Sequence, residues 1–190
     1  MKKIITSLIF AVALSAMAEE HMTFMGIPID GQLGMFCQAL EKENFRLDTI
    51  SSHSARYVGL VMTRPAYVVM ETTPKTHTVY DVLVAYPNIK KWTWMEALYT
   101  DIKARLTCRY GEPVEVKEIG EAPAYDILIQ DKLEDASLIR RTRFETEVGY
   151  IDLGIDNLRL FSGSSGSPYT YVIYIDKANE TKNEQEAFCE

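Results

Sequence analysis

The chain has 190 residues, of which 47% are hydrophobic, and its 20 basic and 27 acidic side chains give a formal net charge of −7. This length fits one domain, and the apolar fraction is large enough for a core. The acidic balance argues against a nucleic-acid partner, because binding to phosphates needs clustered lysine and arginine.

The first 18 residues have the pattern of a secretory signal peptide. Lys2 and Lys3 precede an apolar run over residues 4–14, and Ala16 and Ala18 are small residues at the positions that a signal peptidase reads. The run is too short to span about 30 Å of hydrocarbon at about 1.5 Å per residue. We therefore expect cleavage after Ala18, a periplasmic or secreted protein, and no membrane span in the mature chain 19–190. Loss of the two lysines would leave 18 basic and 27 acidic residues, a net charge of −9.

The segment after the leader has a distinctive opening. Residues 24–31 read Phe-Met-Gly-Ile-Pro-Ile-Asp-Gly, and the short helix predicted over residues 32–43 is followed by Phe45. This opening resembles a group of uncharacterised exported bacterial proteins that begin with a Phe-x-Gly-Ile-Pro-x-Asp-Gly segment and continue into a helix and a three-strand meander. The resemblance implies a fold family and no activity. Asp30 is the expected N-cap of the helix, and Asn44 its left-handed end.

Two groups of three strands flank one long helix in the predicted order of elements. Each strand is rich in valine, tyrosine, threonine or isoleucine and is bounded by turn residues. The first group spans residues 56–62, 66–72 and 78–86, and the second spans residues 139–146, 150–156 and 169–176. Residues 114–117 allow a short edge strand. Residues 121–136 indicate only a short helix or an ordered loop, and the polar tail favours a helix.

The long helix is predicted over residues 93–111. Thr93 and Glu96 have the spacing of a capping box, and Gly111 followed by Pro113 marks the end of the helix. One apolar stripe at helical spacing runs along it and needs a sheet to cover it. The stripe comprises Trp94, Met95, Leu98, Tyr99, Ile102, Leu106 and Tyr110.

These elements predict an α+β fold, an antiparallel β-sheet with helices packed on one face. The repeated order of a helix and three strands indicates a degenerate duplication within a single domain. Its half-units lie at about residues 24–92 and 93–177, followed by a tail at 178–190. The layout resembles small exported modules built from two helix-plus-sheet repeats, such as the β-lactamase-inhibitor proteins. That likeness concerns the fold alone, because one fold hosts many functions.

No set of residues has the spacing of a catalytic or metal site. His21, His53 and His77 lie in separate segments, at no spacing that zinc ligands use. Asp152 and Asp156 would lie about 13 Å apart along one strand, too far for a glycosidase pair. We therefore expect no enzyme activity, no metal centre and no cofactor. One narrower hypothesis remains: after cleavage the Glu-Glu-His start of the mature chain has the pattern that binds Cu(II) or Ni(II) in a square plane.

The cysteines Cys37, Cys108 and Cys189 predict one disulfide and one free thiol, because the expected compartment is oxidising. We favour the pair Cys108–Cys189, since Cys108 lies on a flank of small residues that a tail helix can approach closely. That bridge would close a loop of roughly 80 residues and contribute ~4 kcal/mol. Cys37–Cys108 is the rival pairing, and a buried thiol is the alternative for Cys37.

Alternation along the second group of strands predicts a candidate binding surface. Apolar side chains are expected to face the helices, and the tyrosine, arginine and carboxylate side chains between them to face outward. The candidate surface comprises Arg141, Arg143, Tyr150, Asp152 and Tyr174. Tyrosine and arginine are enriched at binding hot spots, so this surface favours a protein or envelope component as partner. A sheet face that is merely solvated is the alternative.

Three functions are compatible with these patterns. The first is an exported, non-catalytic binding module with an unknown ligand. The second is a structural component of the cell envelope, which predicts a stable oligomer or a fixed partner. The third is an enzyme of unrecognised type, which predicts a concave pocket with two titratable groups hydrogen-bonded to each other. We favour the first, because the sequence lacks the motifs that the third requires.

Overall fold

The computed structural model describes residues 21–87, 89–157 and 167–188. Within these ranges the helices are α1 (Leu33–Lys42), α2 (Trp92–Tyr110), α3 (Ile129–Glu134) and α4 (Lys177–Ala187). The strands are β1 (Thr23–Phe24), β2 (Ile27–Pro28), β3 (Arg46–Ile50), β4 (Ser54–Val61), β5 (Arg64–Thr72), β6 (Val79–Tyr86), β7 (Glu115–Ile119), β8 (Ile139–Glu145), β9 (Gly149–Asp156) and β10 (Tyr169–Asp176). None of these helices is both long and apolar enough to cross a bilayer.

Eight strands form one antiparallel sheet in the order β3-β4-β5-β6-β10-β9-β8-β7, and β1 pairs with β2 in a small separate hairpin. The predicted α+β fold with an antiparallel sheet is therefore confirmed. Each half contains a helix and four sheet strands, with α3 inserted between β7 and β8 in the second half, and the halves join where β6 pairs with β10. Strand β7 matches the edge strand that residues 114–117 allow, whereas β3 is a fourth strand of the first half that the sequence does not predict. The sequence gives no sign of β3 because all five of its residues are exposed and no apolar alternation marks it.

The main core lies between the sheet and the helices α1 and α2. Helix α1 buries Leu33, Phe36, Cys37 and Leu40, and helix α2 buries Trp92, Met95, Leu98, Tyr99, Ile102 and Leu106. The predicted place of Trp94 in the apolar stripe is wrong, since its side chain is 62% exposed. The buried stripe passes through Trp92 and Met95, which puts Trp94 on the far side of the helix.

Neither predicted helix cap forms, because the carboxylates concerned contact distant parts of the chain. The Trp92 N–H donates to Asp126 Oδ1 at 3.0 Å, and α2 has no side-chain cap of its own. Glu96 Oε1 accepts from Arg140 Nη2 at 2.8 Å and forms no capping box. Asp30 accepts from Asn179 Nδ2 at 3.1 Å and does not cap α1. Each carboxylate is used by tertiary structure, which local spacing does not reveal.

Asp176, the last residue of β10, ties three segments together. Its fully buried carboxylate accepts from the Asn179 N–H at 2.9 Å, which caps α4, and from the Met22 N–H at 2.8 Å. The His21 Nδ1 atom lies 3.1 Å from the same carboxylate. Asn179 Nδ2 donates to the Ile29 carbonyl at 2.9 Å. The tail is therefore helical, as predicted, and it is anchored to the amino-terminal segment.

Candidate functional surface

The candidate surface lies on the face of the sheet opposite α1 and α2, where β8 and β9 pair. Phe144, Ile151 and Leu153 are buried on the inner face, as the alternation predicts. The residues between them point outward, and the register sets Arg143 opposite Asp152. We call the outward residues Arg141, Arg143, Tyr150, Asp152 and Asp156 the outer β8–β9 face.

Arg143 is held by two neighbours on this face. Its Nε donates to Asp152 Oδ1 at 2.7 Å and its Nη2 to Asp152 Oδ2 at 2.6 Å, a bidentate pair. Its guanidinium carbon lies 4.4 Å from the centre of the Tyr150 ring, in cation–π contact. The hydrogen bonds to Asp152 raise the pKa of Arg143. The side chain is therefore fixed, yet 44% of it remains exposed.

Tyr150 is fixed in turn by the tail helix. Its hydroxyl donates to the Glu180 carboxylate of α4, and burial together with this bond raises the pKa of Tyr150. The ring under Arg143 thus has one end on the sheet and the other on α4. This contact was not foreseen, because the sequence does not tell on which side of the sheet the tail helix packs.

Arg141 and Tyr171 form the neighbouring part of the surface. Arg141 Nη2 donates to Asp156 Oδ2 at 3.0 Å, while 62% of the arginine side chain remains exposed. The Tyr171 ring lies over Gly154, where a side-chain carbon would come within 2.6 Å of the tyrosine hydroxyl. Burial raises the pKa of Tyr171 to about 12, so the phenol is neutral at physiological pH.

Between the two arginines the surface has a shallow depression of about 170 Å³. Its lining includes Arg141, Arg143, Asp152, Tyr171 and the edge residue Glu115. Pockets for drug-sized ligands usually measure about 300–1,000 Å³. The depression therefore has room for one side chain of a partner and not for a larger molecule.

The middle of the outer sheet face is apolar. A cluster of buried side chains lies beside the outer β8–β9 face and comprises Leu83, Ala85, Tyr169 and Tyr171, with Tyr67, Val69 and Ile173 packed against it. The Tyr169 hydroxyl is buried and has no hydrogen-bond partner among the described residues. The charged side chains of the outer β8–β9 face therefore border an apolar centre.

The predicted outward position of Tyr174, and of Val172 with it, is wrong. Tyr174 is 8% exposed and packs edge-on against Phe24 in the main core, with ring centres 5.5 Å apart. The register sets Ile173 opposite Asp152, so the odd-numbered residues of β10 face outward. Both sets of side chains on β10 are largely apolar, and a shift of one residue exchanges the two faces. The sequence therefore does not decide between them.

A second concavity, of about 320 Å³, lies at the start of α2. Its apolar lining includes Ile89, Met95 and Ile127, and Lys90 and Asp126 add charge. The sequence does not predict this concavity, because four of its nine lining residues come from residues 121–136, which show no readable pattern. Ile127 is 84% exposed, so the concavity opens directly to solvent.

The structure brings two of the separate histidines together. The rings of His53 and His77 stack with centres 4.9 Å apart, and both side chains are exposed. His77 has a left-handed backbone, with φ 53°, in the turn between β5 and β6. Within the described part of the chain, no three histidine, cysteine or acidic side chains converge as a metal site would require.

The structure tests one of the two predicted cysteine pairings. Cys37 is buried and Cys108 is exposed, and both are free thiols, so the rival pairing of these two is absent. Burial raises the pKa of Cys37. The favoured bridge involves Cys189, which lies outside the described residues, and that pairing stays a prediction.

A scan against protein-family models, a search of curated proteins and a search of solved structures each found no match. The resemblance of residues 24–31 to exported bacterial proteins therefore stays a prediction. The likeness of the two-repeat layout to the β-lactamase-inhibitor proteins also stays a prediction.

Proposed function

We propose that this protein is an exported, non-catalytic binding module that holds a protein partner on its outer β8–β9 face. The observation that carries the proposal is Arg143, which is fixed by Asp152 and Tyr150 and is still 44% exposed. A side chain that is already ordered loses little conformational entropy when a partner binds. Arginine and tyrosine are also the residue types that dominate binding hot spots.

The hydrogen-bonding capacity of Arg143 supports recognition of a partner. A guanidinium group has five N–H donors in a rigid fork, and the bidentate pair with Asp152 uses two of them. The remaining donors can serve carbonyl or carboxylate oxygens on a partner. The depression beside Arg143 has room for one inserted side chain, which is how a hot spot on one protein usually meets its partner.

The charges on this face favour a protein partner over a strongly anionic one. Arg143 and Arg141 each have a carboxylate from β9 within 3.0 Å, so both cations are balanced within the chain. A polyanion would meet the neutralised arginines and the acidic net charge of −7. A protein surface of mixed polarity, with one protruding side chain, fits the arrangement better.

Binding is favoured over catalysis by the chemistry of the hydrogen-bonded groups. An enzyme of unrecognised type would need a proton donor or acceptor in this hydrogen-bonded pair, and there Arg143 stays protonated at every physiological pH while both Asp152 oxygens accept from it. Its bond to Asp152 strengthens that charge. The pair is therefore suited to holding a partner and not to moving a proton.

The experiment is a pull-down from periplasmic extract with protein recovered from cells that express the full chain. The intact mass of this bait also shows whether the leader has been removed after Ala18. We expect Arg143→Ala to weaken binding of the captured partner by ~1–4 kcal/mol. Arg143→Lys should weaken it as well, because lysine keeps the charge and loses the fork.

The matched control is Ile127→Ala, which changes an exposed side chain in the second concavity. It should leave binding unchanged. The melting temperature of Arg143→Ala should stay close to that of the parent protein, since an exposed ion pair contributes only about 0–1 kcal/mol. A partner that binds Arg143→Ala as tightly as the parent and loses affinity for Ile127→Ala would move the site to the start of α2.

A further inference from the structure

The two edges of the eight-stranded sheet differ. Strand β7 forms one edge, all five of its residues are exposed, and it pairs with β8 in an unbroken register. Strand β3 forms the other edge, and an irregularity between Leu47 and Thr49 interrupts its pairing with β4. Bulges are one of the ways in which proteins prevent edge strands from pairing with other chains. Among the residues that the structure describes, only the β3 edge has that protection.

Exposed apolar side chains accompany the open edge. Val116 and Ile119 of β7 are 47% and 46% exposed, and Val114 just before the strand is 59% exposed. Charged residues alternate with them at Glu115 and Lys117. An edge of this kind has free backbone donors and acceptors together with apolar area that pairing with another strand would cover.

We propose that β7 pairs with β7 of a second copy of this chain, antiparallel and around a two-fold axis at Val116. Residues opposite each other in such a pair have their side chains on the same face. In two identical strands a residue can therefore be opposite only a residue an even number of positions away, so the two-fold axis lies at a residue and not between two residues. Three positions of the axis, at Val116, Lys117 or Glu118, pair at least three residues of each β7 strand. An axis at Lys117 opposes two lysines, and an axis at Glu118 opposes two glutamates. Only the axis at Val116 opposes Glu115 to Lys117, and it does so twice.

The charges that this register uses are available. Glu118 is already paired with Lys103 at 2.7 Å. Glu115 and Lys117 take part in no ion pair within the described part of the chain. Like charges opposite each other across two strands are destabilising, and opposite charges are stabilising. The second copy is therefore the partner whose charge pattern fits this edge.

The pairing would join two outer sheet faces into one surface. Adjacent strands lie about 4.8 Å apart, so three spacings separate the two β8 strands. Arg143 is opposite Glu115, one residue from the axis, so the two Arg143 backbones would lie about 16 Å apart. A partner with two equivalent contact points would then bind both copies, and its avidity would exceed its affinity for either one.

The test measures the mass of the purified full-chain protein by sedimentation velocity over about 1–200 µM, because an interface of one short strand per copy is small and weak. The parent protein should be in concentration-dependent equilibrium between monomer and dimer. Lys117→Glu and Glu115→Lys, each alone, should weaken the dimer about tenfold or more, since each turns both attractive pairs into repulsive ones. An equimolar mixture of these two variants should dimerise again, because every pair between unlike copies is attractive.

Arg46→Glu is the matched control, since it makes the same change in charge at an exposed residue of the other edge strand. It should leave the dimer unchanged. A parent protein that stays monomeric over the whole range would overturn the proposal. So would a dimer that Arg46→Glu weakens as much as Lys117→Glu does, or single variants whose mixture stays monomeric.

Discussion

At the scale of single residues, Asp81 has the most unusual electrostatic environment for a carboxyl group on the outer sheet face. An irregularity in the pairing of β5 with β6 lies beside it, and its carboxylate accepts the Glu71 N–H at 3.2 Å. Burial, followed by the nearby Glu71 carboxylate, raises the pKa of Asp81 to about 7. The Glu180 carboxylate of α4 acts in the same direction.

This shift predicts a stability that depends on pH. An unfolded Asp81 loses its proton near pH 3.8, whereas the folded protein keeps it until about pH 7. The free energy of unfolding therefore falls as the pH rises through that window, and it stays low above it. Asp81→Asn removes this loss, so we expect the variant to be about 1–3 kcal/mol more stable than the parent at pH 8 and no more stable at pH 4. Urea unfolding of the variant and the parent at both pH values measures this difference in stability.

Glu145→Gln serves as the control for that comparison. The hydrogen bond from Lys177 lowers the pKa of Glu145, so this substitution should bring no gain at pH 8. A gain for Asp81→Asn of equal size at pH 4 and pH 8 would show that its origin is not the titration of the carboxyl group.

The outward residues of β8 and β9 could be predicted from sequence, and those of β10 could not. Arg143 and Asp152 alternate with Phe144 and Leu153, so polarity alone gives the correct faces. On β10 only the pairing with β9 distinguishes Tyr174 from its neighbours. No sequence pattern predicts the stacking of His53 on His77, because two different loops bring the rings together.

Among the helices, the sequence predicts the C-terminal ends correctly and the N-terminal caps less well. Gly111 ends α2 with φ 87°, and Asn44 follows α1 with φ 65°, as predicted. A left-handed residue ends a helix by its own conformation, whereas a cap can come from anywhere in the chain. The cap of α4 is the local one that matters most, because Asp176 also holds the amino-terminal segment.

Asp176→Ala should therefore lower the free energy of unfolding by more than the loss of an ordinary helix cap does. Loss of a cap alone costs about 1 kcal/mol, and the buried Met22 N–H would also lose its acceptor, for another 1–3 kcal/mol. We expect a loss of about 2–4 kcal/mol in the free energy of unfolding, measured in urea. Asp176→Asn retains one acceptor oxygen and should lose less. A substitution to alanine that leaves the unfolding midpoint unchanged would contradict the anchoring role.

At the scale of the whole molecule, the two halves share one core. The buried cluster under α1 and α2 is continuous, and it includes Val68 of the first half and Trp92 of the second. Strands β6 and β10 pair over six residues at the junction. Such an arrangement favours a single cooperative unit over two separately stable repeats.

The position of the tryptophans makes this testable. Both tryptophans, Trp92 and Trp94, lie in α2, so their fluorescence reports on the second half alone. Val68→Ala removes two methyl groups from a fully buried site in the first half and should cost about 1–3 kcal/mol. We expect the fluorescence transition in urea to move to lower denaturant together with the circular-dichroism transition. A fluorescence midpoint that stays in place would mean that the halves unfold independently.

The contact of Tyr171 with Gly154 has an evolutionary consequence. No side chain fits at position 154 while a tyrosine ring lies across it, since the two would come within 2.6 Å. A substitution at either position therefore changes what selection tolerates at the other. In an alignment of descendants of this chain the two positions would covary, and that covariation would mark the register of β9 with β10 where the polarity of the individual strands does not.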